Sequence, residues 1–164
     1  MNVIEAIRTK RAVRNYRDDA LPDEMKQRLD GLKAANGYRN MWNRKAREFG
    51  ARPVLSDEEL EARYPPDAYH PIIRTHPTTG RKCLFVCEGY TYRIEGIPEA
   101  ESESLLRQLF EHAVKPEFQY RHKWRRGDLL MWDNCAVQHK ASFDYPPSLR
   151  RVMQRCTIEG EAPF

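Results

Sequence analysis

The run Gly127-Asp-Leu-Leu-Met-Trp-Asp-Asn-Cys-Ala-Val-Gln-His139 constrains this chain most. It is short, largely apolar and closes on an imidazole, which predicts strand structure with His139 at the strand end. A second tract, Arg150-Arg-Val-Met-Gln-Arg155, follows it. Arg151 and Arg155 are spaced to share one face of an extended strand, roughly 13 Å apart. Two guanidinium groups on one face are costly against a core, so the pattern predicts anions opposite them. A neutral imidazole beside an anion-binding arginine suits an iron site that works with a small dicarboxylic acid. The bland alternatives are a strand-end histidine with one hydrogen bond and two solvated arginines.

The rest of the chain bounds this reading. Its 164 residues fit one domain with a sizeable core, and charged residues make up 32% against 40% hydrophobic. No apolar run approaches the length of a membrane-spanning helix and the N-terminus lacks a signal-peptide core, so no membrane is expected. The four cysteines, Cys83, Cys87, Cys135 and Cys156, suit a reducing, cytoplasmic setting better than a disulfide scaffold. Cys83 and Cys87 with His112 and His122 match no common zinc spacing. The net charge is +4, and Arg121-His-Lys-Trp-Arg-Arg126 interleaves bases with aromatics. Phe118, Tyr120, His122 and Trp124 alternate as in a half-buried strand, however, and Arg125–Asp128 reads as a turn, so nucleic acid is not an expected partner.

Along the chain, Met25, Leu29, Leu32 and Ala35 predict a helix over 23–38 that stops at Gly37. Residues 50–69 read as loop, with Ser56 and Glu59 placed to cap one helical turn. Strands are predicted over 72–75 and 82–94. A helix over 98–114 carries Leu105, Leu106, Leu109, Phe110 and Ala113 on one face, with Pro98 at its start. Further strands are predicted over 117–124, 128–133, 135–141 and 150–158. The fold class predicted is mainly β with helices.

Several motifs in order then carry a resemblance: His70-Pro-Ile-Ile-Arg-Thr-His-Pro-Thr-Thr-Gly-Arg-Lys82, Leu84-Phe-Val-Cys-Glu-Gly-Tyr-Thr-Tyr-Arg-Ile94, Lys115-Pro-Glu-Phe-Gln-Tyr-Arg121, Trp132-Asp-Asn134 with His139, and the 150–155 run. Residues 21–164 resemble the C-terminal half of the taurine dioxygenase (TauD/TfdA) family of Fe(II)- and 2-oxoglutarate-dependent dioxygenases. The resemblance implies a partial jelly-roll, the double-stranded β-helix of clavaminate synthase-like proteins. It implies that His139 is the distal iron ligand, that Arg151 pairs with the far carboxylate of 2-oxoglutarate, and that Arg155 meets an anionic substrate, a sulfonate or a carboxylate. Departures are Cys87 and Cys135 in place of asparagine and arginine, Gln154 in place of histidine, and one extra residue around Tyr145–Ser148.

Such an iron site needs two histidines and a carboxylate. The family's first histidine and carboxylate come from a His-x-Asp/Glu motif. Here the second residue after each histidine is Ile72, Thr78, Val114, Trp124 or Ala141, so that motif is absent. Asp133 is expected to accept backbone hydrogen bonds in a turn rather than to replace the missing carboxylate, and His70 and His76 to bond locally. Two functions remain: a dioxygenase whose other ligands come from a second copy or a complementing fragment, or a non-catalytic anion-binding module. Residues 4–16 separately resemble the start of a nitroreductase, in which Lys10, Arg11 and Arg14 match FMN-phosphate contacts. Nothing later continues that fold, so residues 1–20 are expected to be a helical segment of different origin, and flavin is not expected.

Overall fold

Glycine divides the first expected helix in two. Helix α1 runs Asp23–Leu29, and Gly31, at φ 74°, turns the chain into strand β1, Lys33–Asn36. That left-handed conformation is open to glycine at little cost. A continuous helix over 23–38 therefore does not form, and Gly37 begins the next helix, α2 (Tyr38–Phe49), instead of ending the first. A Cβ at Gly37 would stand 1.9 Å from Asp67 Oδ1, so a larger residue there would displace the Asp67 carboxylate. The computed structural model describes residues 21–50, 52–141, 146, 148, 152–160, 162 and 163. The nitroreductase-like segment and Arg151 lie outside them.

Strand β1 is the centre of a three-stranded antiparallel sheet, flanked by β2 (Ala68–Pro71) and β5 (Thr91–Ile94). Strands β3 (Ile73–Thr75) and β4 (Lys82–Leu84) form a separate antiparallel pair. Ile72 ties the two sheets: its N–H donates to the Leu32 carbonyl at 2.9 Å, and its carbonyl accepts from Phe85 N–H at 2.7 Å. The predicted strand over 82–94 is thus broken between Phe85 and Tyr90, where the Tyr90 and Thr91 N–H groups both bond the Cys87 carbonyl.

Within the region read as loop, Asp57–Arg63 forms a short helix, α3, on the expected cap. Glu59 N–H donates to Ser56 Oγ at 3.2 Å and Ser56 N–H donates to the Glu59 carboxylate at 2.7 Å. Helix α4, Glu99–Ala113, matches its prediction closely, with Leu105, Leu106 and Leu109 buried against Leu29, Ala34, Ile72, Val86 and Ile94. Because β5 is an edge strand, α4 also satisfies part of that edge: Ile94 N–H donates to the buried Ser102 Oγ at 2.7 Å.

The expected strands after α4 do not appear. Pro116–Phe118 is one 3₁₀ turn, and the described residues from there onward contain no strand. A strand exists only through the ladder it makes with a neighbour, and no described residue pairs with this stretch. Tyr120 is consequently 75% exposed where alternation predicted half burial. The Arg125–Asp128 turn does form, with Asp128 N–H on the Arg125 carbonyl at 3.1 Å. Mixed sheet and helix, with helix exceeding strand, replaces the mainly-β expectation; among the described residues there is no closed barrel. No helix among them is long and apolar enough to cross a membrane.

Candidate functional site

The stretch around Trp132–His139 is fastened to the sheets at two points. Asp133 makes the first. Its Oδ1 accepts from Cys135 N–H at 2.8 Å and its backbone carbonyl accepts from Ala136 and Val137 N–H, closing the turn expected of an Asp-Asn pair. Its Oδ2 reaches His76, 57 positions earlier in the chain, at 2.7 Å from Nε2. Gln138 makes the second: its side-chain amide donates to the carbonyl of the buried Val86.

The protonation of His76 follows from its neighbours. Nδ1 accepts from the N–H groups of Thr78 and Thr79, each at 3.2 Å. A nitrogen that accepts cannot carry the ring proton, so the proton is on Nε2 and is donated to Asp133. This bond, and then the Cys135 N–H, hold the Asp133 carboxyl below its usual range. The Cys135 thiol is pushed up by burial and by Asp133 beside it.

His139, the expected metal ligand, follows Gln138 directly. Its ring packs on Trp132 with centroids 4.7 Å apart and planes inclined by 48°. The strand that was to end on it is absent, so the Gln138 anchor and the Trp132 ring set its position. Arg155, the expected substrate contact, is exposed and lies near enough to Tyr90 for its charge to act on the phenol. Burial nevertheless dominates there and pushes Tyr90 up. Tyr90 packs edge-on to Tyr38 at 5.1 Å. Among the described residues no hydrogen bond or ring contact joins His139 to Arg155.

The described residues do not fit a facial triad. Among them, one group of three or more possible ligand side chains lies within mutual reach: His76, Asp133 and Cys135, with donor atoms within 4.8 Å of one another. His139 is not a member. That group is itself ill-suited to a metal. Coordination through Nε2 would move the ring proton to Nδ1, where it would face two N–H donors. The cluster is a hydrogen-bonded fastening.

Sequence reasoning located the Asp133 turn but missed its pairing with His76, the Gln138 anchor and Tyr90. The His76–Asp133 bond spans two distant motifs, and no local pattern announces it. The two were legible only as members of ordered family motifs.

Against this geometry the comparisons are direct. Residues 19–157 match the family model "Taurine catabolism dioxygenase TauD, TfdA family". The chain belongs to this family. It is 38% identical over 147 residues to the alpha-ketoglutarate-dependent 2,4-dichlorophenoxyacetate dioxygenase of Cupriavidus pinatubonensis, covering 88% of this chain and 47% of that protein. The chain therefore spans just under half the length of that relative. A protein from Burkholderia xenovorans, assigned as an alpha-ketoglutarate dependent 2,4-D dioxygenase, superposes with a TM-score of 0.60 at 36% identity. That alignment covers 72% of this chain and 43% of the other. AAD-2 in complex with Mn(II) and N-oxalylglycine aligns at a TM-score of 0.53 and 33% identity, over 65% of this chain and 39% of that one.

Proposed function

We propose that this chain carries the C-terminal portion of an Fe(II)/2-oxoglutarate-dependent dioxygenase that hydroxylates a small anionic organic substrate, a sulfonate or a carboxylate. In this reading His139 is one iron ligand, Arg151 takes the far carboxylate of 2-oxoglutarate and Arg155 takes the substrate's anionic group. The observation that carries it is the family match over 19–157. A relative named for 2,4-dichlorophenoxyacetate, an aromatic carboxylate, supports the substrate class, and the proximity of Arg155 to Tyr90 supports an aromatic wall beside the anion site. An iron ion would need two further ligands, which a His-x-Asp/Glu segment would bring on another polypeptide segment or a second copy. Apolar side chains exposed after α4, among them Phe118, Tyr120, Trp124, Leu129 and Met131, are the surface such strands would cover in a completed jelly-roll. Residues 1–20 are read as a segment of separate origin preceding the dioxygenase portion at 21–164.

The test mixes the chain with a fragment of the family fold bearing His-x-Asp, supplies Fe(II), 2-oxoglutarate and oxygen, and measures succinate. Succinate that requires both pieces, and disappears with His139→Ala or Arg151→Ala, supports the reading. Equal yields from the fragment alone refute it. The second reading, an anion-binding module without metal chemistry, is favoured by the single recognisable ligand here. Succinate-free binding of 2-oxoglutarate that needs Arg151 but is indifferent to Fe(II) would select it.

A further inference from the structure

Arg74 on β3 has no carboxylate partner among the described residues. The residue is 5% exposed. Its Nε is a buried donor with no acceptor. Its guanidinium forms no ion pair with any described residue; it lies over the face of Phe85, 5.0 Å from the ring centroid, and beside the neutral Cys135 thiol. Burying an unpaired cation is unfavourable unless an anion joins it.

Arg74 also lines a cavity of about 560 Å³, together with Pro77, Thr78, Asn134, Cys135 and Ile158. Among the described residues that line it there is no carboxylate. The neighbouring Asp133 is already committed to His76 and to Cys135 N–H. Asn134 spends its amide oxygen on Trp132 Nε1 at 2.8 Å, so the free end of that amide is the NH₂ donor. The guanidinium, this NH₂ and the Thr78 hydroxyl supply donors to its lining, and Pro77 and Ile158 supply apolar surface. The positive charge is felt nearby: His70 is held below its ordinary value by burial first and by Arg74 second.

We propose that this cavity is a binding site for a small organic carboxylate, with Arg74 taking the carboxylate and Pro77 and Ile158 covering the apolar body. Arg155 is not among the residues lining this cavity, and the proposal does not depend on the dioxygenase reading.

The experiment uses the full chain carrying Arg151→Ala and Arg155→Ala, which silences the other proposed anion contacts. Thermal midpoints are recorded with propionate and, as control, with chloride at matched ionic strength. A saturable rise with propionate beyond that of chloride is expected. Arg74→Met should weaken it by about ten-fold or more, the scale of a lost charge-assisted hydrogen bond. Ile158→Asp, at a position 91% exposed and so tolerant of change, sets a like charge at the mouth and should also weaken it several-fold. The Ile158 variant keeps the test decisive if Arg74→Met does not fold. Equal responses to propionate and chloride, or a propionate response unchanged in either variant, overturn the proposal.

Discussion

Asp133→Asn is the substitution whose outcome follows most directly from the geometry. The carboxylate serves two donors with two oxygens: Oδ1 takes Cys135 N–H and Oδ2 takes His76 Nε2–H. Asparagine has one oxygen, so it must turn an NH₂ on one of those donors. His76 cannot relieve the conflict by moving its proton, because Nδ1 is occupied by the Thr78 and Thr79 N–H groups. One charge-assisted hydrogen bond is lost and a donor is left facing a donor, a cost of about 2 kcal/mol for fully buried groups. His76 is largely buried but the Asp133 side chain is 52% exposed, so water offsets part of the loss and about 1–2 kcal/mol is expected. With a slope of about 2 kcal/mol per M in urea, the unfolding midpoint should fall by roughly 0.5–1 M. The sign with pH is fixed. A carboxyl held below 3.8 in the folded chain stabilises it above that value and loses the effect as pH falls further. The variant's deficit should therefore shrink in acid. In a His76→Phe background the same substitution should cost much less. A midpoint shift under 0.2 M, or an equal cost in both backgrounds, refutes the account of this fastening.

Three further outcomes are expected. Ser102→Ala should cost about 1–2 kcal/mol in urea unfolding, because it strands the Ile94 N–H at a buried sheet edge, and no measurable change would count against that role. Tyr92, pushed up to about 12 by burial and by its hydrogen bond to Asp67, keeps its proton in the folded chain where an unfolded tyrosine begins to lose it near 10.0. Its stabilising contribution is then complete below pH 10 and lost as pH rises towards 12; Tyr92→Phe should flatten that alkaline slope and remove the latest phase of the 295 nm titration. By proton NMR, His70 should titrate below 6.5 and move up in Arg74→Met, whereas an unmoved His70 would show that Arg74 does not act on it.

What the sequence made legible was whatever a local pattern can encode. Helix α4 shows its apolar face at the helical period, and Ser56 with Glu59 marks the start of α3. Strand β1 was hidden because Ala34 and Ala35, 1% and 0% exposed, are both buried in a central strand that shows no alternation. Leu29 and Leu32 fit a helical spacing whether or not the chain turns at Gly31. Beyond α4 the alternation is real but does not produce a strand, since periodicity encodes which side would be buried and not whether a neighbouring strand is there to pair. The site divides the same way. The Asp133 turn is local and legible; the bonds to His76 and Val86 join residues more than fifty apart and needed coordinates.

The central proposal is that His139 is one iron ligand of a site whose chemistry needs three, the other two coming from outside the described residues. An anaerobic titration of the chain with Fe(II) in the presence of 2-oxoglutarate, followed by admission of oxygen and measurement of succinate, tests it most directly. The account expects weak Fe(II) binding, little of the visible charge-transfer band, and little or no succinate, because a facial triad draws its affinity from three ligands held together. Robust succinate formation by the chain alone, abolished by His139→Ala, would contradict it.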